Sequence, residues 1–517
     1  MPAAANKTED KVARIPLVGS FFNRIEGSAV VSTTGTVGLG VVGLMLVGGP
    51  AGTASSVTKD QRFVNCIPEK ITNPFSNQPK FFLRKRPGFE VYNSGTALKA
   101  SHIGNACHVW ASKGAGTSPI FAIGNTNSEI FENTTSLGSI TGKCTGITET
   151  LLGTTPNLLF TSGDNTAWYY PSGGALTQIT DVDFPGNASR TITGKFVGLD
   201  GYTFVMDTTG RIYNSDLNSI ANWTATSFLT AQMYPDAGVG LARYKNQIVA
   251  FGKETIEFFR NAGNADASPL VPTSQAFTRL GCAGAQTITV LEDTVAWISS
   301  SDRNGIGLYM LDGYVPKRIS TATIDAQFQK SSLSDLYTFS FRLVGKTFIG
   351  VVTLGTTFVY CVEDDSWHEW TSPDGPLWTY VAGTTGSNSI LYSLSGQVTA
   401  GKAYFINSQS LQYQDASANF TFLVQTSKVD FDTIKNKFGA KLSIVGDIAG
   451  AACTVNIQWS DDDYNTFSTA RTIDLANNNP NLTAIGSFRR RAFKFTNSDS
   501  NFIRLEAMEL QFREGTH

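Results

Sequence analysis

Two stretches, NLLFTSGDNTAWYYPS (residues 157–172) and QIVAFGKETIEFFRN (residues 247–261), show the pattern that decides the fold. Each has a short apolar run, a polar turn and a second run rich in aromatic residues, which is typical of two antiparallel strands joined as a hairpin. Five further stretches follow the same pattern: SPIFAIGNTNSEIFEN (118–133), YTFVMDTTGRIYNS (202–215), TVAWISSSDRNGIGLYML (294–311), TFIGVVTLGTTFVYCV (347–362) and SILYSLSGQVTAGKAYFIN (389–407). The sequence therefore predicts seven consecutive hairpins.

The hairpins recur at a regular interval. The midpoints of their first strands are 38 to 53 residues apart, at Phe121, Leu159, Phe204, Val249, Ala296, Ile349 and Tyr392. A period of about 40 to 50 residues fits the four-stranded blade of a β-propeller. One blade cannot bury both faces alone, whereas radial stacking covers each blade with its neighbours. We therefore predict an all-β fold with a propeller of six or seven blades over residues 59–415.

The last hundred residues have a different spacing of predicted strands. Residues 416–517 contain six or more short strands without the propeller period, and we predict a separate C-terminal β-sandwich there. Within it, residues 460–467 (SDDDYNTF) resemble an Asp-box turn in which Tyr464 replaces the usual Gly. Because aspartates in such turns accept backbone N–H bonds, this motif indicates a structural turn rather than a cation site.

Residues 1–58 form a predicted extended N-terminal arm. Residues 27–58 contain no charged residue, and residues 29–47 (AVVSTTGTVGLGVVGLMLV) approach the length of a membrane span. Only 11 of those 19 residues are Ala, Val, Leu or Met, and four are Gly. This composition favours an insertion that packs in an assembly over a membrane-active segment, and it leaves membrane contact open.

Composition excludes several classes of protein. Forty Lys and Arg residues face 42 Asp and Glu, for a net charge of −2, so the chain lacks the uncompensated positive charge of a general nucleic-acid binder. The six cysteines are far apart and the four histidines have no paired metal spacing. We predict core thiols in a reducing compartment, no metal site and no cofactor.

Catalytic signatures are weak. The sequence has no nucleophile elbow, no P-loop and no G-x-G-x-x-G motif placed after a predicted strand. The best enzymatic candidate is the acidic cluster of Glu363, Asp364 and Asp365 beside aromatic residues, because paired carboxylates next to aromatics could cleave a sugar. A blade turn in which Asp364 and Asp365 bond loop amides explains the same residues, so we predict no catalytic residues.

Two basic triplets are the candidate contacts with a partner or with a channel. They are Arg84, Lys85 and Arg86, and Arg489, Arg490 and Arg491. Three adjacent cations can meet phosphate or an acidic surface, although alternate residues of an extended chain point to opposite faces. We expect interface or solvated positions rather than dedicated DNA contacts.

Several blocks resemble the packaged-DNA stabilisation proteins of short-tailed bacteriophages, which are tail hub or nozzle subunits. At the N-terminal end the blocks are RIPLVGS (14–20), KDQRFVNCIPE (59–69) and LRKRPGF (83–89). FFRNAGNA (258–265), GCAG (281–284) and ISTATI (319–324) follow in the middle, and WSDD (459–462) and FRRRAF (488–493) near the end. The uncharged residues 27–58 interrupt the family pattern, so nothing about them carries over.

The resemblance implies a structural virion protein of the tail, assembled in the host bacterial cytoplasm. Such subunits form a ring, here expected to be a homo-hexamer, that extends the DNA channel and retains packaged DNA. The implied partners are portal and adaptor proteins, tail fibre, spike or needle proteins, and double-stranded DNA that passes without sequence-specific binding. A near-neutral chain suits a conduit, since each neutralised phosphate would add affinity and slow ejection.

Two other classes remain as alternatives. The Asp-box-like turn and the acidic cluster would suit a propeller glycosidase or sialidase-like depolymerase, and exposed aromatics would suit a carbohydrate-binding module. Loss of sugar release on Glu363→Gln, Asp364→Asn and Asp365→Asn would favour the enzyme. Neither alternative accounts for the N-terminal blocks.

Overall fold

A computed structural model describes residues 11–16, 61–72, 79–114, 118–231, 233–234, 236–264, 267–301, 305–353, 356–372, 380–385, 390–395, 401–407 and 411–515. The chain divides into two compact units. The first, the propeller unit, takes residues 90–358 and 377–410, and the second, the sandwich unit, takes residues 1–89, 359–376 and 411–517. The uncharged residues 27–58, with their predicted packing role, lie outside the described residues.

Strands dominate both units. The first five are β1 (Lys11–Pro16), β2 (Arg62–Val64), β3 (Cys66–Thr72), β4 (Pro79–Lys85) and β5 (Glu90–Val91). Twenty strands follow: β6 (Gly104–Trp110), β7 (Ser118–Ile123), β8 (Ser128–Glu132), β9 (Thr135–Ile140), β10 (Cys144–Leu152), β11 (Thr155–Ser162), β12 (Ala167–Pro171), β13 (Thr177–Gln178), β14 (Ile192–Leu199), β15 (Tyr202–Asp207), β16 (Arg211–Ser215), β17 (Trp223–Thr230), β18 (Gly238–Tyr244), β19 (Gln247–Gly252), β20 (Ile256–Asn261), β21 (Leu270–Thr278), β22 (Ile288–Val290), β23 (Val295–Ser301), β24 (Gly305–Asp312) and β25 (Val315–Arg318).

Helix α1 (Ala322–Lys330) separates these strands from the remaining ones. They are β26 (Tyr337–Leu343), β27 (Lys346–Val352), β28 (Thr357–Cys361), β29 (Ser366–Trp370), β30 (Tyr380–Thr385), β31 (Ile390–Ser395), β32 (Ala403–Asn407), β33 (Gln414–Asp415), β34 (Ala418–Asn419), β35 (Phe422–Gln425), β36 (Lys437–Gly446), β37 (Thr454–Ser460), β38 (Arg471–Asp474), β39 (Asn481–Phe488), β40 (Ala492–Asn497) and β41 (Arg504–Glu514). Short 3-10 turns lie at Asn93–Gly95 and Ala285–Thr287.

The propeller unit repeats one antiparallel sheet around a ring. Strands β6 to β25 form five four-stranded sheets in simple up-and-down order. Six of the seven predicted hairpins appear as the middle pairs β7–β8, β11–β12, β15–β16, β19–β20, β23–β24 and β31–β32. Within the described residues, seven first strands lie side by side in a closed circuit, in the order β6, β10, β14, β18, β22, β26 and β30, then back to β6. The β-propeller prediction is confirmed.

Period-two alternation explains why the middle strands are apolar on both faces. In β7, Ile120 and Ala122 pack with the second sheet, whereas Phe121 and Ile123 pack with the sheet that contains Tyr392. In the same way, β19 sends alternate side chains to its two neighbouring sheets. Because each strand is covered on both sides, it reads as a continuous apolar run.

The inner strands are also tied by side chains. Thr148 Oγ1 donates to the carbonyl of Phe196 at 2.9 Å, and Thr193 Oγ1 donates to that of Val239 at 2.6 Å. The ring is closed by an early piece of chain, since β5 adds to β32 with Tyr404 opposite Val91. The last sheet is therefore completed by residues that precede the first one.

The sandwich unit consists of two sheets around one core. One sheet has the order β3-β4-β41-β36-β39, with β1 also on β41. In the other, β29, β2, β35, β40, β37 and β38 are neighbours in that order, and β2 runs parallel to β29. Leu83, Leu505 and Met508 of the first sheet meet Phe63, Phe422 and Phe495 of the second in a shared core. A β-sandwich that contains the C-terminal strands β35 to β41 is present, as predicted, but it also includes β1 to β4 and β29.

One assignment made from the sequence is wrong. Residues 61–72, 79–89, 359–372 and 411–415, predicted inside the propeller, belong to the sandwich unit. The β3–β4 hairpin fits there because Leu83 pairs with Leu505 and both side chains enter the core. Short apolar runs look alike in both folds, so periodicity could not separate them.

Candidate functional site

The first basic triplet lies at and just after the end of β4, and its third member is buried in the sandwich unit. The Arg86 guanidinium makes a two-pronged pair with Asp415, with Nη2–Oδ2 at 2.5 Å and Nη1–Oδ1 at 3.0 Å. Its central carbon lies 3.9 Å from the centre of the Phe420 ring. Both charges are removed from water, so each one depends on the other for compensation.

The other guanidinium donors bond polar atoms from distant parts of the chain. Arg86 Nε donates to Asn65 Oδ1 at 2.8 Å, and Nη2 donates to the Thr371 carbonyl at 2.9 Å. Asn65 has a φ of 56° and its Nδ2 donates to the Thr421 carbonyl at 2.7 Å. We name Asn65, Arg86, Thr371 and Asp415 the charge node. It fixes four segments of the sandwich unit through one cation.

The residues after Arg86 complete this arrangement. A Cβ on Gly88 would lie 1.9 Å from the Gln414 carbonyl oxygen, so the position has room only for glycine. The Gly88 N–H donates to the Gln412 carbonyl at 2.7 Å, and the Phe89 N–H donates to Asp415 Oδ1 at 2.9 Å. The LRKRPGF block is therefore explained by close backbone approach and by the buried ion pair.

Lys85 is also buried. Its Nζ donates to the Asp499 carbonyl and lies 4.6 Å from the centre of the Phe420 ring. Burial, together with the neighbouring Arg86 charge, lowers the pKa of Lys85 from 10.5 to about 8. At pH values below this pKa the ammonium is charged and buried, which lowers the stability of the folded chain.

We expect a pH-dependent difference between the wild type and Lys85→Met. Between pH 8 and 10.5 the folded chain loses this proton before the unfolded chain does, so the unfolded state binds more protons and stability rises with pH. In this pH range the free energy of unfolding of the wild type should rise relative to that of Lys85→Met by up to about 1.4 kcal/mol per pH unit. Urea unfolding at pH 7, 8, 9 and 10 measures the difference. Lys435→Met, at an exposed lysine, is the matched control, and parallel curves for Lys85→Met and wild type would contradict the assignment.

The remaining members of the triplets divide into two groups. Arg84 is buried and pairs with Glu69 at 3.0 Å. Arg491 is buried as well, and its Nε and Nη2 each lie 2.7 Å from a carboxylate oxygen of Asp461. Arg489 and Arg490 are exposed, and Arg490 reaches Asp463 at 3.1 Å.

The predicted set of contact residues is therefore corrected. Arg84, Lys85, Arg86 and Arg491 are buried and bond groups inside the sandwich unit. Arg489 and Arg490 keep an exposed cationic surface, and their role as partner contacts stays a prediction. Asn65 and Asp415 were not foreseen, since their pairing with Arg86 spans 21 and 329 residues of sequence.

The acidic cluster lies on the turn before β29, and a further carboxylate, Glu369, lies on that strand. Glu369 forms a bidentate pair with Arg62, with Nε–Oε1 at 2.8 Å and Nη2–Oε2 at 2.5 Å. Asp365 accepts the Tyr360 hydroxyl at 2.6 Å, and the Cys361 thiol lies 3.3 Å from buried Asp364. These contacts with a phenol and a thiol fit the turn interpretation. These carboxylates are bonded within the fold.

The Asp-box-like turn also has a structural explanation. Asp462 accepts hydrogen bonds from the hydroxyl and from the backbone N–H of Thr466, at 2.6 and 2.9 Å, and these bonds lower the pKa of Asp462 to about 2. Tyr464, at the usual glycine position, adopts a φ of 65° and donates its hydroxyl to the Thr426 carbonyl at 3.0 Å. The predicted backbone N–H acceptance is confirmed at Asp462.

The GCAG block connects two adjacent sheets of the propeller unit. The Cys282 N–H donates to the Gly252 carbonyl at 2.9 Å, and the Ala283 N–H donates to the Ile298 carbonyl at 2.8 Å. The indole of Trp297 donates to the Gly281 carbonyl at 3.2 Å. This loop therefore holds the sheet of β18–β21 against that of β22–β25.

The cysteine thiols lie mostly in the interior of the fold. All six cysteines are free thiols, five of them buried, and burial raises the pKa of Cys66 and of Cys282, the latter to about 11. In the part of the chain that the structure describes, His, Cys, Asp and Glu residues form no group of three placed to hold a metal ion. None of the helices within the described ranges has both the length and the apolar character that a bilayer span requires.

A protein-family model described as the β-propeller of bacteriophage P22 Gp10 matches residues 122–380. The match covers five of the seven hairpins in full and most of another, and it includes the FFRNAGNA, GCAG and ISTATI blocks. No protein of curated function matches the sequence.

Similar solved structures share little sequence with the chain. PorZ of the type-IX secretion system of Porphyromonas gingivalis is 10% identical over 73% of this chain and 46% of its own, with a TM-score of 0.38. The computationally designed Ika8 protein is 10% identical over 62% of this chain and 99% of its own, with a TM-score of 0.34. BamB from Moraxella catarrhalis is 11% identical over 62% of this chain and 83% of its own, with a TM-score of 0.32. The chain spans less than half of the length of PorZ.

Proposed function

The chain belongs to the family of the bacteriophage P22 Gp10 β-propeller, so it is a phage structural protein and a component of the virion, and from this we propose that it forms a ring in the phage tail. In this proposal six copies assemble around a channel that continues the path of the packaged DNA. The ring retains the genome before ejection and carries other tail proteins. Family membership over about half of the chain is the observation that supports the proposal most strongly.

The placement of charge supports a geometric role over a catalytic one. Of the carboxylates that were the best enzymatic candidates, Asp365 accepts the Tyr360 hydroxyl and Asp364 lies 3.3 Å from the Cys361 thiol. Four of six triplet cations are bonded inside the sandwich unit. With a net charge of −2, the chain offers little excess charge for holding phosphate, which suits DNA that must pass through.

A closed ring needs one heterologous interface repeated around an axis. The native mass of the purified full chain, alone and mixed with portal and adaptor proteins, tests whether this interface exists. We expect the chain to form a hexamer, either by itself or on the complex of portal and adaptor proteins, which we call the connector. A chain that stays monomeric in both samples would contradict the proposal.

Arg489 and Arg490 are the proposed partner contacts on the sandwich unit. We expect the double substitution Arg489→Glu and Arg490→Glu to slow assembly on the connector several-fold at low salt, with a smaller effect at high salt, since exposed charges act mainly through association rate. Light scattering during assembly measures the rate at both salt concentrations. Lys435→Glu serves as the control for a single exposed charge reversal nearby, and equal rates for all variants would remove these arginines from the interface.

A further inference from the structure

One edge of strand β41 is covered by two different strands, β4 and β1. Along its other edge β36 pairs with it from Leu505 to Glu514. On the edge in question, β4 pairs only with Leu505 and Arg504. The six residues 507–512 on that edge are covered by β1. Without β1 they would be an open strand edge, which is a template for pairing with another chain.

Strand β1 is a separate piece placed on this edge. It runs antiparallel to β41, from Lys11 opposite Phe512 to Pro16 opposite Ala507. Ala13 is buried in the sandwich core opposite Leu510, while Val12 is exposed. Among the described strands, β41 is the one with which β1 pairs. The interaction is therefore a strand addition to a single sheet edge.

The connection between β1 and the rest of the unit is long. Residues 17–61 separate Pro16 from Arg62, and their sequence includes the uncharged stretch 27–58. At about 3.3 Å per residue, 45 residues can extend over roughly 150 Å. This length does not restrict β1 to the β41 of its own chain.

We propose that β1 is a donated strand: in the assembled ring, residues 11–16 of one subunit pair with residues 507–512 of the next subunit. This inference rests on the proposed ring. The backbone pairs and the Ala13 contact are the same in either arrangement, so donation loses no pairing while it adds a link between subunits. A heterologous ring allows each subunit to give one strand and to receive one, and every β41 edge stays covered.

Cysteine crosslinking in the full chain distinguishes donation from pairing within one subunit. Val12 and Gln511 are register partners across the pair. Directly opposite residues of antiparallel strands have Cα atoms about 4.5 to 5.5 Å apart, which is within disulfide reach. We would assemble equal amounts of Val12→Cys and Gln511→Cys chains with connector, oxidise them and separate the products without reductant.

Donation predicts covalent dimers in the mixed ring at least tenfold above those of either variant alone, and a ladder up to six chains for the double variant. Wild type controls for the native cysteines, and Val12→Cys mixed with Thr483→Cys, on the far strand of the same sheet, controls for chance contact. Native mass before oxidation shows whether rings are present. Rings in which the double variant crosslinks only within one chain would overturn donation and leave the proposed function standing, whereas a sample without rings would overturn both.

Discussion

Replacing Asp415 with Asn is expected to destabilise the sandwich unit by about 3 to 5 kcal/mol, which is the cost of leaving a buried cation uncompensated. Arg86 is fully buried and Asp415 is 2% exposed. Asn keeps the volume of the side chain but removes the charge that faces the guanidinium. Asp415 also accepts the Phe89 N–H, so the backbone after β4 loses an anionic acceptor.

Asp463→Asn is the matched control for this change. Asp463 also lies near an arginine, Arg490 at 3.1 Å, but the pair is about half exposed, so the expected loss is below about 1 kcal/mol. Asn is tolerated at the φ of 59° that Asp463 adopts. Denaturant unfolding, read by hydrogen exchange in peptides covering residues 61–67 and 414–421, measures both variants. Equal effects would show that the charge node does not stabilise the unit.

Replacing Gly281 with Ala is expected to cost the propeller unit about 3 kcal/mol or more, at or above the upper end of the usual range for overpacking. A Cβ there would lie 1.7 Å from the carbonyl oxygen of Lys253 and 2.4 Å from the amide nitrogen of Glu254. Both are backbone atoms and cannot rotate away. The loop would have to shift, and with it the bonds from Cys282 and Ala283 to two adjacent sheets.

Gly163→Ala is the control within the same unit. The nearest atom to a Cβ at Gly163 is the Lys143 carbonyl oxygen at 3.7 Å, which is ordinary contact, so the expected change is within about 1 kcal/mol. Thermal unfolding of both variants, with exchange measured in peptides covering residues 250–256 and 281–298, gives the comparison. A Gly281→Ala chain as stable as Gly163→Ala would contradict the role of the loop.

The sequence predicted the repeated part of the fold well because local pattern and tertiary packing agree there. Stretches such as residues 247–261 place apolar residues on both faces of a strand, and the structure covers both faces. Residues 61–72 and 79–89 were misplaced because their partners, such as Leu505 for Leu83, lie more than 400 residues away in the chain. Strand pairing at that distance leaves no local signal.

The candidate site was predicted less well, for a related reason. Three adjacent cations look the same in sequence whether they face solvent or lie under a loop. The positions of Asn65 and Asp415 distinguish Arg86 from Arg489, and neither residue is near Arg86 in sequence. The glycine of LRKRPGF was a usable signal, because a glycine after proline often marks a close backbone approach.

The most direct test of the proposed ring is an image of the intact virion, averaged around the tail axis without imposed symmetry. The proposal predicts a six-fold collar of this chain between the connector and the end of the tail, with one propeller unit and one sandwich unit per subunit around a DNA-sized channel. A chain found outside the tail, or at the tail without a closed ring around the DNA path, would contradict it.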